Sequence, residues 1–206
     1  MVLSACILRA EPMQFIASGP ESAGQSYMAY ENGRAVYVSS VGAEFLLNGN
    51  PVRMKFADAS QKPQGQGLDP LPGRNNYFLG KNPLLWRTDL PRYARVQYHD
   101  LYPGIDLVYY GNEGNLEYDL IVSPYTNPSR IGIEFNPAGS PRIALGGDFV
   151  FNVSGAEVRL LKPVIYQNLG GVRKNVPGRY ILNGRGTLGS GLVPMITRSP
   201  LSSTRL

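Results

Sequence analysis

Three carboxylates lie close together near the middle of this 206-residue chain and are the first candidates for chemistry. Asp106 belongs to one predicted strand, and Glu117 and Asp119 belong to the next. If a four-residue turn joins these strands, Asp106 faces Asp119 directly and Glu117 lies about 7 Å away on the same face. Two opposed carboxylates repel each other unless a partner neutralises them.

The cluster has three interpretations. Clustered carboxylate oxygens are the ligands that Ca²⁺ prefers, so Asp106, Glu117 and Asp119 form a candidate calcium site. Two carboxylates roughly 5 to 10 Å apart are also the acid and base of a glycosidase. The third arrangement is a structural salt-bridge cluster with nearby arginines, and it is the one we favour. The candidate arginines are Arg87, Arg92 and Arg95.

Aromatic side chains crowd the same region, between residues 77 and 118. Rings exposed in a groove stack on sugars or peptides, whereas buried rings fill a β core and send their hydroxyl groups to its rim. We favour the core for most of them. The candidate ligand-binding rings are Trp86, Tyr109, Tyr110 and Tyr118.

Histidine and cysteine chemistry is limited, because the chain contains one residue of each type. A single cysteine, Cys6, excludes an internal disulfide and a Cys-cluster metal site. A single histidine, His99, excludes a multi-His zinc or iron centre. Asp100 follows His99 directly, and strand neighbours point to opposite faces, so this pair does not form a catalytic relay. We therefore expect no catalytic residue and no cofactor other than the candidate Ca²⁺.

Short strands and tight turns must position all these residues. The chain contains 24 Gly and 17 Pro, and no stretch has the 3.6-residue periodicity of a long helix. Asn32-Gly33 and Asn48-Gly49 supply the positive φ angles of hairpin turns. The predicted class is all-β, an antiparallel β-sandwich of hairpin meanders without a propeller. The predicted strands are residues 25–30, 34–39, 43–47, 52–56, 105–110, 116–122, 130–135, 142–145, 149–153, 164–167 and 179–182.

Charge and targeting signals narrow the partners. Residues 1–158 carry 12 basic and 15 acidic side chains, whereas residues 159–206 carry 8 basic side chains and no acidic one. Such a basic end is typical of a solvated edge, so we predict no nucleic-acid partner. No run reaches the roughly 18 apolar residues that a membrane helix needs. Residues 3–6 resemble a lipobox, but no complete signal peptide precedes them, and we treat the match as chance.

Several blocks of the sequence, in this order and spacing, resemble the conserved N-terminal domain of large bacterial SBBP-repeat (β-propeller repeat) proteins. The most specific block is Tyr-Pro-Gly-Ile-Asp-Leu-Val-Tyr-Tyr-Gly at residues 102–111. Supporting blocks lie at residues 71–80, 86–91, 116–119 and 162–167. The resemblance implies an exported, extracellular or cell-surface protein in which a β-rich domain of unknown function precedes propeller repeats. It implies no catalytic residue, and it leaves an unidentified protein or an envelope glycan as the partner.

The resemblance also divides the chain. We expect residues 1–11 to be disordered or the remnant of a leader. Residues 12–185 should form the β-sandwich. The Gln, Gly and Pro content of residues 59–74, independently of the resemblance, predicts a surface loop and a sub-boundary there. The end of the chain departs from the family pattern. The codons that encode these residues, when read one base earlier, permit that pattern. Residues 186–206 are therefore expected to be a disordered tail produced by a truncating frameshift.

The predicted function is a non-catalytic structural or interaction domain. The alternative is a carbohydrate-binding or glycan-acting domain that uses the aromatic rings and the acidic cluster.

Overall fold

The computed structural model describes residues 13–18, 26–31, 34–60, 64–78, 80–83, 86–112, 115–136, 138–169, 172–183, 186–192 and 201–202. The predictions for residues 1–11, including Cys6 and the lipobox-like match, lie outside these ranges. The described chain is made of antiparallel strands with a short 3-10 helix at Pro128–Arg130, so the predicted all-β class is confirmed. No helix within these ranges is long and apolar enough to cross a membrane.

The strands follow one another with short connections. The N-terminal part of the chain contains β1 (Phe15–Ala17), β2 (Tyr27–Glu31), β3 (Arg34–Ser39), β4 (Gly42–Leu47), β5 (Asn50–Phe56), β6 (Gly65–Tyr77), β7 (Arg87–Tyr102), β8 (Ile105–Asn112) and β9 (Asn115–Val122). The C-terminal part contains β10 (Gly132–Asn136), β11 (Gly139–Ile143), β12 (Phe149–Val153), β13 (Ala156–Leu160), β14 (Ile165–Leu169), β15 (Val172–Val176), β16 (Gly178–Leu182), β17 (Leu188–Leu192) and β18 (Leu201–Ser202). Each strand predicted from the sequence is present, with its ends shifted by a few residues.

The long strand β7 connects two halves of the main sheet. Where β7 contains Arg92 and Tyr93 it pairs with β1, and the sheet continues through β2, β3, β4, β5, β10, β17 and β16. From Arg95 onward β7 pairs with β8, and the sheet continues through β9, β18, β14 and β15. The opposite edge of β7 pairs with β6 along most of its length. One strand therefore belongs to both halves.

Tyrosine hydroxyl groups join the two halves across the core. Tyr98 of β7 donates a hydrogen bond to the carbonyl of Val38 at 3.3 Å, and Tyr109 of β8 donates to the carbonyl of Ser39 at 3.3 Å. Tyr102 donates to the carbonyl that follows β5 at 2.7 Å. A buried hydroxyl without a partner costs about 1–3 kcal/mol, so these bonds make it favourable to bury the rings. The two halves thus pack face to face as in a sandwich.

A separate three-stranded sheet, in the order β11-β12-β13, packs on the same core. Phe149 and Phe151 of β12 have no exposed surface. Their ring centroids lie 5.5 and 4.7 Å from that of Phe135 in β10. This phenylalanine trio attaches the small sheet to the main one, and both belong to one core cluster.

Several stretches differ from the sequence prediction, including β7, which was not predicted, and Leu201–Ser202 of the expected disordered tail, which forms β18. Most of the predicted surface loop and sub-boundary at residues 59–74 belongs to β6 (Gly65–Tyr77). This strand accommodates Pro70 and Pro72 because only one of its edges is paired in the described chain. Residues 188–192, expected in a disordered tail, form β17 between β10 and β16. The side chain of Leu188 is 1% exposed, and this burial explains why the strand forms. Residues 193–200 and 203–206 of the expected tail lie outside the described ranges.

Candidate functional site

Asp106 fixes the turn between β7 and β8. Its Oδ1 accepts a hydrogen bond from the backbone N–H of Asp100 at 2.9 Å. Its Oδ2 lies 3.2 Å from Nε2 of Gln97 and 3.0 Å from Nδ1 of His99. Asp100, at φ +51°, accepts in turn from the N–H of Gly104 at 3.2 Å. His99 therefore contacts Asp106 and not its sequence neighbour, and the Asp106 carboxylate is occupied in holding the turn.

Two glycines of the same block are required by close packing. Gly104 has φ +77°, and a Cβ at this position would overlap Oγ1 of Thr126. A Cβ at Gly111 would overlap Cβ of Met13. Turn geometry and packing thus account for both glycines of the block at residues 102–111.

The hairpin of β8 and β9 closes with two residues, whereas the sequence analysis predicted four. Asn112 pairs with Asn115, so Asp106 faces Ile121, two residues beyond Asp119. The predicted opposition of Asp106 and Asp119 is therefore wrong, because the shorter turn extends the ladder and shifts its register. The two carboxylates are diagonal neighbours, roughly 7–8 Å apart.

Glu117 and Asp119 surround the half-buried Tyr110 on the same face of this hairpin. The Tyr110 hydroxyl donates to Oδ1 of Asp119 at 3.2 Å, and the Asn112 amide donates to Oε1 of Glu117 at 2.9 Å. Burial raises the pKa of Tyr110, and the two carboxylates raise it further because their charge disfavours a tyrosinate. Within the described ranges, no three His, Cys, Asp or Glu side chains are grouped so as to hold a metal ion.

The arginines expected to neutralise these acids have other partners. Arg87 donates to a β1 carbonyl at 2.7 Å, and Arg92 donates to the Gln14 side chain at 2.8 Å. Arg95 pairs with Asp69 at 2.5 Å. The predicted salt-bridge cluster with these arginines is thus corrected, since each arginine has a partner elsewhere. The partners of the three acids include a tyrosine, two side-chain amides, a histidine and a backbone N–H.

Two of the four candidate ligand-binding rings are inaccessible. Tyr109 and Tyr118 have no exposed surface, and their ring centroids lie 6.3 Å apart in the core. Burial raises the pKa of both hydroxyl groups well above the ordinary value for tyrosine. Ligand stacking by these two residues is therefore a wrong prediction, because a ligand at the surface cannot reach their ring faces.

Trp86 is partly exposed in the connection between β6 and β7. It is 40% exposed and contacts Phe78, which is 62% exposed, edge to face at 5.2 Å. Its Nε1 donates to the carbonyl of Gly80 at 3.2 Å. The ring is thus held in place while part of it faces solvent.

A second surface feature crosses the outer face of β3, β4, β5 and β10. The register aligns Tyr37 with Glu44, Glu44 with Arg53, and Arg53 with Asn136. Tyr37 is 49% exposed and lies between two buried residues of β3, so this row faces away from the core. The result is a raised row of long side chains across four strands.

The next row along the same strands is low on β3 and β4. It aligns Ser39 with Gly42, Gly42 with Lys55, and Lys55 with Glu134. Gly42 has φ +148°, and a side chain there would overlap the carbonyl oxygen of Met54. The small residues leave a depression beside the raised row, which we call the outer trough.

The outer trough has a volume of about 590 Å³. A second hollow of about 700 Å³ shares Arg53 and Lys55 with it and extends to Glu134 and Pro141. The polar side chains that line the trough belong to Ser18, Ser26, Tyr37, Ser39, Glu44, Arg53 and Lys55, and the rest of its lining is Val38, Val41, Gly42, Ala43 and Met54.

The charged groups of the trough form a mixed set of donors and acceptors. Nε of Arg53 donates to Oε2 of Glu44 at 2.6 Å, and within the described chain this is the arginine's one hydrogen bond. Lys55 makes no ion pair with any described residue. Glu134 accepts from Oγ1 of Thr187 at 3.1 Å. The trough therefore offers cationic and anionic hydrogen-bonding groups side by side.

The sequence analysis did not predict this surface, because its candidate rings came from the aromatic cluster at residues 77–118, which does not include Tyr37. The alternation in β3, where Tyr37 separates two buried valines, is the local signal that identifies an outward tyrosine. Burial raises the pKa of Tyr77, and the nearby hydroxyls of Tyr30 and Tyr37 add to the rise.

Comparison with known proteins gives one match, which covers most of the chain. No curated protein and no solved structure gives a match. A family model described as a domain of unknown function (DUF7948) matches residues 9–193, which include every strand from β1 to β17. The match thus passes the boundary at residue 185 that the sequence resemblance suggested. The chain belongs to the DUF7948 family.

Proposed function

We propose that this chain is a non-catalytic structural and interaction domain of an exported or cell-surface bacterial protein, in which β-propeller repeats follow it. The observation that carries the non-catalytic part is that the candidate groups serve the fold. Asp106 holds a turn, Tyr109 lies in the core and Tyr110 binds Asp119. The exported setting and the propeller repeats are supported by the resemblance at residues 102–111.

A turnover assay tests the non-catalytic part. The purified chain is incubated with panels of polysaccharides and proteins, with and without Ca²⁺, and products are followed by mass spectrometry. We expect no product above the level of a heat-denatured control. A product that forms with the native chain and disappears in Asp119→Asn would contradict the proposal.

Protease treatment of intact cells tests the exported setting. An epitope tag is placed on the full-length protein in its natural host, and intact cells are treated with a protease that does not enter them. We expect the tag to be lost while a cytoplasmic marker survives. Protection of the tag in intact cells, with cleavage after lysis, would contradict export.

Glycan binding is the second candidate function, and the outer trough favours it. An exposed tyrosine ring lies in register with an Arg–Glu pair, and sugars are commonly held by such a combination of ring stacking and charged hydrogen-bonding groups. An interaction domain on a cell surface meets envelope glycans, so the two candidates are compatible.

A further inference from the structure

We infer that the outer trough, together with the hollow that adjoins it, binds a linear, uncharged glycan that lies across strands β3, β4, β5 and β10. This inference rests on the proposed interaction function and adds the site and the class of ligand.

The shape of the trough favours an extended ligand that crosses the strands. The raised row of Tyr37, Glu44 and Arg53 forms one wall, and the floor next to it carries Ser39 and Gly42. Adjacent strands lie about 4.8 Å apart, so the distance from β3 to β10 is about 14 Å. That length accommodates a short stretch of a polymer chain, and the adjoining hollow beyond Arg53 lets the chain continue.

The chemistry of the wall suits hydroxyl groups. Tyr37 offers a partly exposed ring face, on which the C–H face of a sugar can stack. Arg53 uses Nε for Glu44, which leaves both Nη groups without a protein partner in the described chain. A sugar hydroxyl is both donor and acceptor, so it can bind a guanidinium and a carboxylate at once.

The charge balance favours an uncharged ligand. Arg53 and Lys55 contribute two positive charges to the trough and its adjoining hollow, and Glu44 and Glu134 contribute two negative charges. An acidic polymer would meet both carboxylates, and a basic peptide would meet both cations. An apolar partner would bury all four groups, and burial of a charge without compensation is costly. A neutral polyhydroxylated chain avoids each of these penalties.

Binding is tested with the whole purified chain. An array of neutral and acidic oligosaccharides identifies binders, and isothermal titration measures the affinity of the strongest neutral one. Tyr37→Ala and Arg53→Ala should each weaken binding about tenfold or more, since truncation of a central aromatic or arginine contact has effects of this size. Tyr125→Ala is the matched control, because Tyr125 is 79% exposed and does not line the trough.

Each variant is accepted only if its circular-dichroism spectrum and thermal midpoint match those of the wild type. If Tyr37→Ala does not fold, Arg53→Ala still decides the result, because its side chain is 60% exposed and its removal leaves no hole in the core.

Several results would overturn the inference. These are no neutral oligosaccharide bound at millimolar concentration, equal affinity in the wild type and both trough variants, or a preference for acidic glycans. Binding of a peptide in the trough, or self-association that Tyr37→Ala abolishes, would assign the trough to another occupant. The turnover assay and the protease assay on intact cells do not depend on this result, so they test the proposed function separately.

Discussion

Substitution of Asp106 distinguishes a turn-forming carboxylate from a metal ligand. In Asp106→Asn one acceptor oxygen becomes an NH₂ group, which then faces either the N–H of Asp100, bound at 2.9 Å by Oδ1, or the amide of Gln97, bound at 3.2 Å by Oδ2. A hydrogen bond to a charged group contributes about 1.5–3 kcal/mol when it is well buried. The Asp106 side chain is 28% exposed, so solvent screening reduces this contribution. We therefore expect the free energy of unfolding to fall by about 1–2 kcal/mol.

Urea unfolding followed by circular dichroism measures this loss. With a slope of about 2–3 kcal/mol per molar urea, the midpoint should decrease by roughly 0.3–1 M. Asp89→Asn is the matched control, since the Asp89 side chain is 82% exposed and its ion pair with Arg74 spans 3.8 Å. The control should stay within about 0.5 kcal/mol of the wild type.

Two results would refute the reasoning about Asp106. The first is a midpoint for Asp106→Asn that equals that of Asp89→Asn. The second is stabilisation of the wild type by Ca²⁺ that Asp106→Asn removes, because this outcome would restore the calcium interpretation. We expect Ca²⁺ to leave the wild-type midpoint unchanged.

Three further substitutions, with Gly146→Ala as a control, test the packing and the buried hydroxyl groups. Gly111→Ala should lower the free energy of unfolding by about 1–3 kcal/mol, because its Cβ overlaps a neighbouring side chain, whereas Gly146→Ala, with no atom within 4 Å, should be nearly neutral in the same urea assay. Tyr109→Phe should cost about 0.5–1.5 kcal/mol through loss of its hydrogen bond across the core, and an unchanged urea midpoint would contradict that bond. Burial raises the pKa of Tyr102 to about 12 from 10.0, so the folded chain holds this proton more tightly than the unfolded chain. Its contribution to stability is complete below pH 10.0 and is lost as the pH rises towards about 12, a loss that Tyr102→Phe should reduce in alkaline unfolding curves.

Local signals in the sequence were enough to predict much of the fold. Asn48 and Gly49 adopt φ +51° and +79°, the positive values that a two-residue hairpin turn requires. Alternation also predicted the faces of β9, where Leu116 and Tyr118 are buried in the core cluster. Such features depend on residues that are neighbours in sequence, and each can be recognised without knowledge of the rest of the chain.

The strands that escaped prediction depend on distant partners. β7 includes Pro91, and β6 contains Pro70 and Pro72, which normally argue against a strand. β6 tolerates its prolines at an unpaired edge, and β7 is held by β1, β6 and β8 together. Pairing of this kind is decided by the assembled sheet, so local signals predicted a loop at residues 59–74 instead of most of β6.

The candidate site shows the same division. The residue types at Asp106 and Asp119 suggested a cluster, but their geometry depends on turn length, and a change from four residues to two separates them. The outer trough is harder still to predict, because it needs Tyr37, Glu44 and Arg53 from three different strands in one register. Only the positions of the assembled strands bring these residues together.

The sharing of β7 by both halves of the main sheet has a consequence for biosynthesis. β1 pairs with residues 92–93, so the hairpins from β1 to β5 keep one open edge until that part of the chain has been synthesised. The edge of β5 stays unpaired for longer, because its partner β10 begins at residue 132. Contacts between residues so distant in sequence slow folding and expose unpaired strand edges meanwhile. A fragment whose synthesis ends before residue 92 would therefore have unpaired edges at both β1 and β5, and such a fragment is prone to aggregate.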